Sequence, residues 1–196
     1  MTTKHRGEFN RKAIHFSLIL LPLGYRYLVN YDKKITLIVL TILLMIALVI
    51  EIIRMSNPVF KNIFYNIFGS MMRSRESGNL TSATYMLISV TVCIAVFPAP
   101  IAFAAISFLA IGDTLAALVG IRFGRKKLFG SHKSLEGSLA FFAGSFVFAV
   151  FYMNVWIALS GAVAAAVAEA APIWLDDNIK VPVTAGLVMI LVNHFV

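Results

Sequence analysis

The stretch IGDTLAALVGIRFGRKKLFGSHKSLEGSLAFF, residues 111–142, holds a carboxylate, a run of cations and a second carboxylate. Asp113 precedes Arg122 by nine residues, which is roughly 13 Å along a helix. A carboxylate alone at that depth in an apolar helix costs several kcal/mol or takes up a proton. Mg²⁺ or a basic side chain would resolve that cost, and so would a hydrogen bond between helices. The loop that follows carries Gly124, Arg125, Lys126, Lys127, Gly130, Ser131, His132, Lys133 and Ser134. Free backbone N–H groups, cations and hydroxyls before a helix N-terminus are what a polyphosphate needs. A plain basic loop ahead of a capped helix has the same composition. Ser134 is placed to cap that helix, with Glu136 in its first turn. Ala116, Ala117 and Gly120 are small enough to admit a close helix or a ligand.

Three further clusters could take part. Glu8, Arg11, Lys12 and His15 open the chain, and Arg11 and His15 share a face if the segment is helical. RSRESGNLTSATYML, residues 73–87, combines Glu76 with arginines and ends in Thr81, Ser82 and Thr84; a loop salt bridge and a capped helix would explain it equally. Glu169 is followed by IWLDDNIKVPVTAG, residues 173–186, where Asp176, Asp177 and Asn178 offer hard oxygen ligands suited to Mg²⁺. A polar turn ahead of a helix beginning near Pro182 is the plainer reading. His5, His132 and His194 lack Cys or His partners at zinc spacing. Neither a P-loop nor a nucleophile elbow occurs.

The elements that must position these residues are helices. The 196 residues are 60% hydrophobic with a mean hydropathy of +0.87, and long apolar runs replace any apolar–polar alternation. We therefore expect an all-α, polytopic transmembrane bundle forming a single domain over residues 1–196. About seven spans are expected, near 14–29, 35–53, 82–97, 99–121, 136–153, 155–171 and 181–196. The first is expected to be retained, because no small-residue cleavage site follows it. The segment PVFKNIFYNIFGSMM within the connection 54–81 reads as an amphipathic interfacial helix. Cys93 sits in an apolar run and is expected to be buried.

The formal net charge is +8. A soluble protein so basic would suggest nucleic acid, but no aromatic-interleaved basic surface is present, and that class is set aside. With seven spans, 14 of the 17 Lys and Arg fall on the side of the N-terminus and three on the other. Positive charge marks the cytosolic side, so the N-terminus and every polar cluster are expected to face the cytosol.

Taken in order, these clusters resemble the CTP-dependent lipid kinases, a family that includes dolichol (polyprenol), phytol and yeast-type diacylglycerol kinases. The resemblance runs from Glu8 to Gly186. It is strongest in GDTLAALVGIRFGRKK and HKSLEGSLAFF, and extends to Glu8–His15, LTSATYML and DDNIKVPVTAG. Ser82 stands where the family is expected to have Gly. The resemblance implies phosphoryl transfer from CTP to a membrane lipid alcohol at the cytosolic face of the bilayer. It implies Asp113 as Mg²⁺ ligand or catalytic carboxylate, and Glu136 and Asp177 as further acids around metal and nucleotide. Arg122, Gly124, Arg125, Lys126, Lys133, Ser134 and Asn178 would hold the nucleotide, and Arg11 and His15 would close the site. A cytidylyltransferase forming a CDP-lipid is the alternative within enzymes. An ion-coupled transporter is the alternative outside them, and the gathering of polar residues on one side argues against it.

Overall fold

The computed structural model describes residues 18–69, 72, 74–128 and 133–196. These residues form eight helices and no strand. They are α1 (Leu20–Leu23, continued by a π turn over Gly24–Leu28), α2 (Lys33–Ser56), α3 (Pro58–Phe68) and α4 (Ser82–Val96). Then follow α5 (Ala99–Phe123), α6 (Leu135–Val150), α7 (Val155–Ala170) and α8 (Asp177–Asn193). A short 3₁₀ turn, Ser74–Ser77, leads towards α4.

The helices begin where polar caps interrupt apolar sequence. Asp32, Asn57, Thr81, Ser134, Asn154 and Asp176 each accept a backbone N–H of the following turn. Such caps contribute about 1 kcal/mol each. The expected spans from 35–53 to 155–171 coincide with α2, α4, α5, α6 and α7 within a few residues. The span expected at 14–29 begins outside the described residues. By length and composition alone, α2 and α5 are long and apolar enough to cross a membrane. The helices α4, α6 and α7 are apolar but shorter. The amphipathic segment is helix α3, with Phe60, Phe64 and Phe68 in tilted ring contacts along it and Val59, Ile63 and Ile67 exposed.

Helix α8 corrects one expectation. It starts at Asp177, four residues before the expected span and five before Pro182, which lies inside the helix. Asp176 sets this start, its Oδ1 accepting the Asn178 N–H at 3.0 Å. Pro182 lies close enough to the N-terminus to deprive only the Asn178 carbonyl of its helical donor.

Helix α5 is the central element, buried over most of its length and unbroken at Gly112. Gly112 instead admits the Phe141 ring, 2.6 Å from where a Cβ would stand. Further on, a Cβ on Gly137 would lie 2.9 Å from the Ala116 carbonyl oxygen, and one on Gly124 would lie 2.2 Å from the Gly120 carbonyl oxygen. Small residues thus let α5 and α6 cross in near backbone contact. Cys93 is fully buried, as expected.

The two ends of the bundle differ. At one end the Arg26 guanidinium stands 4.7 Å from the Tyr152 ring centroid and 5.4 Å from that of Phe103, and donates to the Tyr31 hydroxyl at 2.8 Å. Asn30 and Tyr31 take positive φ of 47° and 62° to make the turn into α2. The other end is ionic. There Arg54, fully buried, pairs with Glu51 at 2.5–2.8 Å and donates to the carbonyls of Glu76 (3.1 Å) and Asn79 (2.6 Å). The second Glu51 oxygen accepts from the Thr81 N–H (2.8 Å) and from the hydroxyls of Thr81 (2.6 Å) and Thr84 (2.9 Å).

Removing one partner of a buried ion pair leaves an uncompensated charge, at a cost of about 3–5 kcal/mol. Glu51→Ala should therefore lower the thermal midpoint in detergent markedly, whereas the double variant Glu51→Ala/Arg54→Met should recover most of the loss. Equal losses in the two would show that the pair is not what holds this corner.

Candidate functional site

The basic loop hangs between the C-terminus of α5 and the N-terminus of α6. Its stem is tied by the Leu128 N–H to the Lys133 carbonyl (3.0 Å) and by the Leu135 N–H to the Lys126 carbonyl (2.9 Å). Glu136 reaches back from the first turn of α6 and accepts the N–H groups of Arg125 (3.2 Å) and Lys126 (3.3 Å). Its carboxylate therefore sets the loop's backbone while the side chains of Arg122, Arg125 and Lys126 remain exposed. Ser134 is buried, and its Oγ accepts the Gly137 N–H at 3.2 Å. A Cβ on Gly124 would lie 2.7 Å from that same hydroxyl. Gly124 and Ser134 are thus occupied in closing the loop onto the helix.

Lys133 leaves the loop and crosses to α7 and α8. Its ammonium lies 3.1 Å from the Asp177 carboxylate and 3.3 Å from Glu169 Oε1, and also donates to the Glu169 carbonyl oxygen. Ser138 donates to the other Glu169 oxygen at 3.0 Å. Lys180, almost fully buried, lies 2.9 Å from Asp177 and donates to the Ala171 carbonyl at 2.7 Å. One step on, the Asn178 amide donates to the Ser82 carbonyl at 3.2 Å, and the Ser82 hydroxyl donates to Glu76 at 2.7 Å. The chain of contacts thus runs from the loop through α8 to α4 and ends on the Glu51–Arg54 pair.

Of the residues singled out in the sequence, the structure gathers Lys133, Asp177, Asn178, Ser134, Glu136 and the loop cations at this end. Asp113 is half-buried on α5, on the same helical face as Ala116 and Gly120. Arg11, His15 and the rest of the N-terminal cluster lie outside the described residues, as do Gly130, Ser131 and His132. Sequence reasoning missed Glu51, Arg54 and Lys180. The first two had a visible signal, an acid and a base three residues apart at the end of an apolar run.

Among the described residues no three His, Cys, Asp or Glu converge as a metal cage. A Mg²⁺ carried by a triphosphate needs only one or two protein carboxylates. Asp177 meets that lesser demand once a lysine leaves it: it is 27% exposed, and its two oxygens are paired with Lys133 and Lys180.

The chain is similar over almost its whole length to fungal enzymes. It is 29% identical to CTP-dependent diacylglycerol kinase 1 of Schizosaccharomyces pombe, over 95% of this chain and 94% of that one. It is 27% identical to CTP-dependent diacylglycerol kinase 1 of Saccharomyces cerevisiae, over 95% and 73%. These relatives support the CTP-dependent lipid kinase family that the sequence resembles. Another relative is the probable phytol kinase 2, chloroplastic, of Oryza sativa subsp. japonica, 35% identical over 63% of this chain and 47% of that one. No family model and no solved structure matches the chain. The alignment with the S. pombe kinase leaves about a twentieth of this chain outside, so the loop, Glu169 and Asp177 all lie within it.

Lys133→Met should release the loop from α8. Amide hydrogen exchange in residues 124–128 and in the first turn of α8 should then quicken about tenfold, equivalent to about 1.4 kcal/mol of lost local stability. Unchanged exchange at both places would mean that the loop is held by its stem alone.

Proposed function

We propose that this lipid kinase transfers the γ-phosphoryl group of CTP to the hydroxyl of a membrane lipid alcohol, leaving CDP and a lipid monophosphate. The observation that carries the reading is Lys133, which joins the basic loop to the acids of α7 and α8. Phosphoryl transfer asks for positioning and charge neutralisation more than for covalent chemistry. A triphosphate laid along Arg122, Arg125 and Lys126 would meet Lys133 at its end. Asp177 and Asp113 would hold the accompanying Mg²⁺, which draws charge off the phosphates. The oxygen of the lipid hydroxyl bonds to the γ-phosphorus as the β–γ bridging bond breaks, and the hydroxyl proton leaves to a carboxylate, for which Asp113 is proposed. Glu136 and Ser134 act through the loop's shape. Arg11 and His15 are proposed to close the site from the N-terminal segment.

We place the reaction at the cytosolic face of an integral membrane protein of about seven spans with its N-terminus in the cytosol, all of residues 1–196 acting as one domain. The charge asymmetry of the loops supports this orientation. So does Trp174, 93% exposed beside the ionic end, where an indole sits well among headgroups. Among acceptors, diacylglycerol is placed first, because the diacylglycerol kinases align with 95% of this chain and the phytol kinase with 63%.

The purified protein, given γ-labelled CTP and a panel of lipid alcohols, should label lipid; label entering lipid only from the cytidine ring would make it a cytidylyltransferase instead. Asp113→Asn should insert and purify normally yet lose turnover by at least about a hundredfold, the scale of general acid–base contributions. Near-native turnover would remove Asp113 from the chemistry.

A further inference from the structure

An open apolar furrow of about 580 Å³ runs between α5 and α6 on the outer surface of the bundle. Ile111 and Leu115 form one wall, and Gly144, Val147 and Phe148 the other, with Tyr152 at the far end. Gly144 lets the Leu115 side chain pack directly against the α6 backbone at the floor of the furrow: a Cβ there would lie 2.1 Å from Leu115 Cδ1. Tyr152 and Phe148 are in tilted ring contact with each other, and both meet the Phe103 ring, Tyr152 edge-on, at the far end.

The furrow has a direction. On α5 the face of Ile111 and Leu115 continues through Leu118 to Arg122, eleven residues from Ile111. On α6 the face of Val147 and Gly144 continues through Ala140 to Glu136, eleven residues from Val147. Both walls therefore run from apolar to charged over roughly 16 Å. One leaflet of a hydrocarbon core about 30 Å thick has that depth. An amphiphile lying here would keep its chain against apolar side chains and bring its head to the basic loop. Residues two apart on a helix face opposite ways, so Asp113 lies on the far side of α5 from Ile111 and Leu115. The furrow holds the chain, and the head turns around the loop end to reach the site.

We infer that the α5–α6 furrow is the subsite for the hydrocarbon chain of the acceptor lipid, with its head end directed past Arg122 and Glu136 towards the reacting site. This rests on the reading that the acceptor is a membrane lipid alcohol. The occupant is specific because the far end is closed by aromatics and the near end by opposite charges.

The test uses the whole protein in nanodiscs with a long-chain alcohol carrying a diazirine at mid-chain, its adducts mapped by mass spectrometry. Adducts should concentrate on Leu115, Val147 and Phe148 and should fall at least about fivefold with excess unlabelled alcohol. Gly144→Leu, and Val147→Trp at an exposed position, should reduce them similarly and raise the KM for the lipid about tenfold, with kcat and the KM for CTP unchanged, the pattern of lost ground-state binding. Adducts spread equally over α2 and not competed, or labelling indifferent to both variants, would overturn the subsite. Competed furrow labelling without phosphoryl transfer from CTP would leave the subsite standing and sink the kinase reading. Transfer with labelling elsewhere would do the reverse.

Discussion

In a bundle with this much apolar surface, ionisable groups survive only by satisfying one another, because burying an unpaired charge costs more than a small fold can bear. That constraint organises the molecule. Glu51 and Arg54 meet beside the start of α4. Lys133 and Lys180 meet the acids at the junction of α7 and α8. All these groups lie at one end, joined through Asn178 and Ser82. A lysine shared between Glu169 and Asp177 is the hinge of the arrangement, since it reaches from the basic loop to two other helices.

Such a cluster is stable when its charges are paired and also ready to exchange partners. Asp177 faces two ammonium groups, and the loop beside it presents exposed cations over a backbone already shaped by Glu136. An incoming triphosphate would compete with carboxylates for the same lysines, so nucleotide binding and the opening of the ionic cluster would be one event. At the opposite end Arg26 is enclosed by aromatic rings. The asymmetry matches a reaction whose polar reactant comes from one side and whose greasy reactant comes from within the bilayer.

Much of this was legible in the sequence because apolar runs and caps are local signals. Ser134 and Glu136 announced the start of α6, and the amphipathic run PVFKNIFYNIFGSMM announced α3. The start of α8 was misread because Pro182 looks like a helix start, whereas the Asp176 cap six residues before it is what the backbone used. The role of Glu51 was hidden for another reason. Its i+3 partner Arg54 is visible in sequence, but Thr81 and Thr84, which complete its shell, lie 30 and 33 residues away. Gly124 and Ser134 look like phosphate-loop residues by composition, yet their close contact with Gly120 and Gly137 is a matter of how two helices cross.

The most direct test of the account is a structure of the protein with a non-hydrolysable CTP analogue and Mg²⁺. The account predicts the triphosphate between residues 122–134 and the first turn of α8, with the Lys133 ammonium moved from Glu169 and Asp177 onto phosphate oxygen. A nucleotide bound elsewhere, with the Lys133 bridge to both carboxylates intact, would contradict it.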